Sequence, residues 1–84
     1  MSGVDPHFVS LVLGLARQAE EALDGKLPPV EGGPGQPREV ARALIDTLGM
    51  LEEKTRGHLS DEEARVLGEV LTALRFRFVK GEAR

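Results

Sequence analysis

Residues 57–78 read GHLSDEEARVLGEVLTALRFRF, and this stretch determines the class of fold. Ser60, followed three positions later by Glu63, matches a capping box, in which the two residues satisfy each other's backbone N–H groups at a helix start. The apolar residues that follow recur at helical spacing; they are Leu67, Val70, Leu71, Leu74 and Phe78. Acidic residues at 61–63 and basic residues near the other end favour the helix dipole. We therefore predict a helix over about residues 61–80, ended by Gly81.

A second helix is predicted just before it, over about residues 37–56. Pro37 suits a first helical turn, where no N–H bond is needed, and Gly57 is typical of the position after a helix end. The apolar stripe of this helix consists of Val40, Leu44, Leu48 and Leu51, widened by Ala41 and Ile45. The connection to the next helix, from Gly57 to Ser60, is so short that we expect the two helices to form an antiparallel hairpin.

A third helical pattern lies at the start of the chain. Asp5 is a good N-cap and Pro6 fits the first helical position, which predicts helix 1 over about residues 6–24. Residues 25–36 are rich in Pro and Gly, so we expect a loop without regular structure there. The sequence thus predicts one all-α domain of three helices over residues 1–84, with helix 1 packed across the hairpin.

Helix 1 is apolar on almost every side. Between Phe8 and Ala16 the only polar side chain is Ser10. A helix of this kind is buried on more than one side, and a chain of 84 residues has little protein with which to cover it. We therefore predict a homodimer or homotetramer, assembled as a helical bundle. The predicted interface residues are Phe8, Val9, Leu11, Val12 and Leu15.

Composition excludes several classes of protein. The chain has no Cys, which rules out disulfide scaffolds and thiol catalysis. It has no Trp or Tyr, which argues against aromatic ligand cages and most base-stacking platforms. The N-terminal residues lack the basic segment of a secretory signal, and no apolar run approaches the roughly 20 residues of a membrane span. We expect a cytoplasmic protein that does not enter a membrane.

The segment from Ile45 to Glu63, IDTLGMLEEKTRGHLSDEE, resembles the family DUF1844. The family pattern runs I-D-x-L-x-M-L-x-x-K-T-x-G-N-L-S/T-x-E-E and ends in L-R-x-x-Y/F-V, which stands here as Leu74 to Val79, LRFRFV. His58 departs from the pattern, because the family has Asn at this position. The resemblance implies a small helical bacterial protein and gives no activity.

Sites for chemistry are not indicated. The two histidines, His7 and His58, lack the three or four ligands of a metal centre. The pairs Glu52-Glu53 and Glu62-Glu63 lie near the turn without a predicted pocket that would separate their pKa values. Residues 32–35, GGPG, lack the preceding strand and the Lys-Ser/Thr of a phosphate-binding loop. We expect no enzymatic activity, no cofactor and no metal.

The end of helix 3 suggests an alternative function. Arg75, Arg77 and Lys80 alternate with aromatic residues, and Arg84 adds a further charge, which is compatible with nucleic-acid binding. The sequence pI of about 5.3 argues against it, and the helix dipole accounts for the same cations. The leading hypothesis is a non-enzymatic, self-associating interaction or scaffold protein, and a nucleic-acid accessory protein is the alternative.

Asp46 is the polar residue of most interest, because it lies at the edge of an apolar stripe, where a carboxylate usually needs a partner. One interpretation is an exposed pair with Arg42, four positions earlier. The other is that Asp46 reaches a backbone N–H or an arginine of another helix or chain and fixes the register of packing. Thr55, in the last turn of helix 2, is expected to bond a carbonyl one turn back.

Overall fold

A computed structural model describes residues 3–25 and 37–82 of the chain. These residues form three α-helices and no strand: α1 (Pro6–Leu23), α2 (Pro37–Lys54) and α3 (Asp61–Glu82). The all-α class predicted from the sequence is confirmed. Each helix packs against the other two. Apart from Gly25, the loop predicted over residues 25–36 lies outside the described residues, as does Arg84.

The starts of α1 and α3 follow from their caps. The Asp5 carboxylate accepts a hydrogen bond of 2.9 Å from the backbone N–H of His7, and Pro6 occupies the first helical turn. At α3 the predicted capping box is confirmed. The backbone N–H of Glu63 donates to Ser60 Oγ at 3.1 Å, and the N–H of Ser60 donates to Glu63 Oε1 at 2.8 Å. Local side chains therefore satisfy N–H groups that the helices leave free.

The helix ends differ from the sequence prediction in two places. α2 ends at Lys54, two residues before the predicted limit, because the N–H groups of Arg56 and His58 bond carbonyls three residues back. Gly57 then adopts a φ of 84°, which a residue with a Cβ rarely takes. Gly81 does not end α3, which continues to Glu82. One glycine costs a helix only about 1 kcal/mol relative to alanine, so the helix can pass through it.

One hydrophobic core is shared by the three helices. Its buried residues are Val12, Ala16, Ala19, Ile45, Leu48, Leu67, Leu71 and Leu74. In α2 the most buried positions are Ala41, Ile45 and Leu48, so the centre of the buried face lies to one side of the predicted stripe. Leu44 and Leu51 are half-buried and pack at the margin of the core.

Polar contacts join the ends of the helices. The backbone N–H of Asp5, before α1, donates to Glu63 Oε2 in the first turn of α3. After the other end of α1, Asp24 accepts a hydrogen bond from Arg77 near the end of α3. The start of α2 is also tied to α3, because Arg38 Nη2 donates to the Phe78 carbonyl at 3.1 Å. Its guanidinium lies 3.8 Å from the centre of the Phe78 ring, a cation–π contact.

Candidate interaction surfaces

The predicted interface residues on α1 occupy different environments. Val12 is fully buried in the core of its own chain. Phe8 and Leu15 are half-buried and pack against that core, and Val9 is also half-buried. Leu11 is 49 % exposed. The four residues other than Val12 thus keep surface that a partner could contact, whereas Val12 is covered by the chain itself.

Helical geometry divides the exposed and half-buried apolar residues of α1 into two sides. Phe8, Leu11 and Leu15 are spaced by three and four positions and lie along one side, which we call the Leu11 ridge. Leu13, also 49 % exposed, lies two positions from Leu11 and points about 200° away from it. Leu13 is not among the interface residues predicted from the sequence. The apolar surface of α1 is therefore two narrow strips on opposite flanks of its buried face.

Asp46 makes no contact that would fix packing within the chain. It is exposed, and in the described part of the molecule it forms no hydrogen bond and no ion pair. The pair with Arg42, four positions earlier, is not formed either. Within residues 3–25 and 37–82, Asp46 thus forms no bond to another helix. A bond to an arginine of another chain stays a prediction.

The basic residues near the end of α3 do not share one face. Arg77 is paired with Asp24, beside α1. Arg75 lies over α2, where its Nη2 atom is 3.1 Å from the position that a Cβ on Gly49 would take. The Lys80 ammonium lies 5.7 Å from the centre of the Phe76 ring. Because Arg75 and Arg77 point about 200° apart on the helix, they cannot contact one flat ligand together.

A surface depression lies between α2 and α3, and the sequence analysis did not anticipate it. Its lining residues are Arg42, Ile45, Asp46, Arg75, Phe78 and Val79. Val79 is 61 % exposed, so the depression has an apolar margin as well as charged groups. No spacing pattern within one segment of the sequence indicates it, because its lining residues come from two helices. We call this feature the α2–α3 depression.

The turn between α2 and α3 is held by local bonds. The Thr55 hydroxyl donates to the Leu51 carbonyl at 2.6 Å, which confirms the predicted bond to the preceding turn. The N–H of His58 donates to the Thr55 carbonyl at 2.8 Å, and the His58 side chain is exposed. The position that is Asn in the family pattern therefore takes part in the turn through its backbone. Lys54 is exposed beside it.

Among the residues whose burial the structure describes, Glu63 is the one ionisable residue that is buried, only 7 % exposed. The pKa of its carboxyl group is lowered from the usual 4.5, first by the N–H of Ser60 and then by the N–H of Asp5. Both donors favour the charged carboxylate, and their effect exceeds that of burial, which favours the neutral acid. Both oxygens of the Glu63 carboxylate accept these bonds, so the side chain links the start of α1 to the start of α3.

The described residues, 3–25 and 37–82, offer neither a metal centre nor a membrane-spanning helix. In these ranges no group of three or more His, Asp or Glu side chains is arranged to hold a metal ion. His7 and His58 are both exposed. None of the three helices combines the length and the apolar composition that crossing a bilayer would require.

Comparison with known proteins gives one assignment. A search of curated proteins found no match, and a search of solved structures found none. A family model described as a domain of unknown function, DUF1844, matches residues 5–80. The matched range begins at the N-cap of α1 and ends two residues before the last residue of α3. It therefore includes α1, α2 and all but the last two residues of α3, and the chain belongs to the DUF1844 family.

Proposed function

We propose that the protein is a non-enzymatic interaction protein that associates with copies of itself through the Leu11 ridge of α1. The observation that carries this proposal is the 49 % exposure of Leu11, a large apolar side chain, between two residues that pack on the core. Covering such a side chain removes apolar surface from water and favours association. A cytoplasmic location belongs to the same proposal.

In this proposal α2 and α3 form the antiparallel hairpin that supports α1. Two contacts support that arrangement. Arg38, at the start of α2, bonds the Phe78 carbonyl near the end of α3, and only residues 55–60 separate the other ends of the two helices. Asp5 and Asp24, which flank α1, are tied to Glu63 and Arg77 of α3. The ridge would then be presented by a helix that is held at both ends, which lowers the entropy cost of binding.

The molar mass in solution tests the proposal. Light scattering with refractive-index detection suits a chain without Trp or Tyr, and we expect two or four times 9.1 kDa. Leu11→Glu should lower that mass, because it places a charge in the apolar contact. Leu13→Glu is the matched control, since Leu13 is on the same helix with the same exposed fraction but on the opposite flank. A wild-type mass of 9.1 kDa would contradict the proposal.

Nucleic-acid binding is the alternative function, and it is supported less well. It relies on Arg75, Arg77 and Lys80, but the Arg77 guanidinium is already paired with Asp24. A salt-dependent shift of labelled RNA or DNA at low micromolar protein, abolished by the Arg75→Ala/Arg77→Ala double variant, would favour this alternative. We expect no such shift, because Arg75 points away from Arg77 and Lys80 on α3, and Arg77 is already paired with Asp24.

A further inference from the structure

The arginines of the described residues fall into two groups. Most of them have a partner in the chain: Arg17, Arg56, Arg65 and Arg77 form ion pairs with carboxylates, and Arg38 bonds the Phe78 carbonyl. Within residues 3–25 and 37–82, Arg42 and Arg75 form no ion pair and no hydrogen bond to a side chain or carbonyl. Both of these arginines line the α2–α3 depression.

Asp46 shares the depression with them and is likewise without a partner in the described part of the chain. The patch therefore carries both signs of charge, and its charges are not satisfied by one another. A simple anion would meet the Asp46 carboxylate as well as the guanidinium groups, which disfavours an anion-binding site. A patch that carries both signs fits a partner that also carries both signs.

A second copy of the same patch has this property. In a two-fold contact the same surface faces itself, so a contact from one residue to another occurs twice. Asp46 of each copy can then face Arg42 or Arg75 of its partner, and like charges need not be placed opposite each other. The apolar side chains of the depression, Ile45, Phe78 and the exposed Val79, provide surface to bury around these pairs.

Arg75 reaches from α3 to the part of α2 that carries Asp46. Its side chain extends across α2 beside Gly49, one helical turn from Asp46. The absence of a Cβ on Gly49 leaves room for Arg75 to lie there. Arg75 therefore lies beside the part of α2 that carries Asp46 and lines the same depression.

We propose that the α2–α3 depression is a second self-association surface, at which Asp46 of each copy pairs with arginines of its partner around a two-fold axis. This inference rests on the proposed self-association, but it uses a surface separate from the Leu11 ridge. Two such surfaces on one chain join dimers into a closed tetramer when their two-fold axes intersect at right angles. The charges of Asp46, Arg42 and Arg75 set the register of the second contact.

A charge exchange tests the contact. Asp46→Arg and Arg75→Asp each place like charges opposite one another at both halves of a two-fold interface, so each should weaken this association more than about tenfold. An equimolar mixture should restore it, because the exchanged charges become complementary across the interface. Light scattering measures the mass, and native mass spectrometry identifies assemblies that contain both variants.

Controls separate folding from association. Arg65→Asp makes the same change of charge on α3 outside the depression, where Arg65 faces Glu62 and Glu69, and should keep the wild-type mass. Circular dichroism establishes that each variant retains its helix content. If Arg75→Asp lowers that content, Arg42→Asp takes its place opposite Asp46→Arg, since Arg42 is also exposed in the depression.

The outcomes distinguish the two proposals. Loss of mass in each single variant, with restoration in the mixture, supports the second surface. If every charge variant keeps the wild-type mass while Leu11→Glu lowers it, this inference is overturned and the Leu11 ridge stands. If the charge variants lower the mass and Leu11→Glu does not, the second surface stands and the ridge is overturned. A monomeric wild-type protein overturns both.

Discussion

Glu63 Oε2 accepts a hydrogen bond of 2.7 Å from the backbone N–H of Asp5, a residue 58 positions earlier in the chain. The other oxygen of the same carboxylate accepts from the N–H of Ser60 at 2.8 Å. One side chain therefore caps α3 and also ties the start of α1 to it. Because Glu63 is only 7 % exposed, removal of the carboxylate leaves partly buried donors without a partner, which is costly.

Glu63→Ala should destabilise the protein more than Ser60→Ala does. Ser60→Ala removes a single helix-capping acceptor, a loss of about 1 kcal/mol. Glu63→Ala removes two acceptors, and one of them belongs to the link with α1. Urea unfolding followed by circular dichroism gives the free energy of unfolding for each variant. Glu62→Ala is the control, because Glu62 is exposed and lies outside these bonds; equal losses for Glu62→Ala and Glu63→Ala would contradict the prediction.

Acid should remove the contribution that the hydrogen bonds of Glu63 make to the free energy of unfolding. The N–H groups of Ser60 and Asp5 lower the pKa of this carboxyl in the folded chain relative to the usual 4.5. The contribution to stability is therefore complete above pH 4.5 and is lost as the pH falls through the lower, folded-state pKa. Glu63→Gln cannot ionise, so the difference in urea midpoint between wild type and Glu63→Gln should shrink below pH 4.5. A difference that stays constant from neutral pH into this acid range would contradict the assignment.

Leu48→Ala should be severely destabilising, and Met50→Ala should not. Leu48 is fully buried in the core shared by the three helices, whereas Met50 is 46 % exposed on the same helix. Loss of a buried leucine side chain costs about 2–5 kcal/mol, which is a large part of the stability of a domain of this size. Surface changes usually stay within about 0.5 kcal/mol. Thermal unfolding of both variants measures the contrast, and a comparable loss for Met50→Ala would show that Met50 is covered in an assembly.

Two helical glycines should respond differently to alanine. At Gly68 an added Cβ meets no atom within 4 Å, so Gly68→Ala should stabilise α3 by about 1 kcal/mol. At Gly49 the Cβ would lie 3.1 Å from Arg75 Nη2, and the arginine must move. Gly49→Ala should therefore give a smaller gain in unfolding free energy and should weaken association through the α2–α3 depression. If the two variants gain the same unfolding free energy and have the same molar mass, the position of Arg75 beside Gly49 has no role in stability or association.

The starts of the helices could be predicted because their signals are local. Asp5 with Pro6 and Ser60 with Glu63 specify caps within a few residues, and the structure shows both. The tie between Glu63 and Asp5 could not be predicted, because it depends on how α1 packs against α3. A capping box already explains Glu63 completely, so nothing in the sequence indicates a second acceptor role.

The contacts of the charged surface residues were less predictable, because they also depend on how the helices pack. An i,i+4 spacing led to an expected pair between Arg42 and Asp46, but in the described residues that pair is not formed. Spacing shows that two side chains can meet, whereas their conformations are set by the surface around them. The position of Arg75 over Gly49 is a contact between two helices, and helical periodicity within one segment contains no information about it.

The link between Asp5 and Glu63 also has a consequence for the order of folding. Contacts across the short turn between α2 and α3 close a small loop, whereas the bond from Asp5 closes 58 positions and carries a larger entropy cost. We therefore expect α2 and α3 to assemble before α1 docks on them. During synthesis α1 leaves the ribosome first, and Val12, fully buried in the finished chain, has no complete core to enter until α3 has been made. The apolar side chains of α1, the most apolar of the three helices, are therefore exposed to solvent for longer than those of α2 and α3.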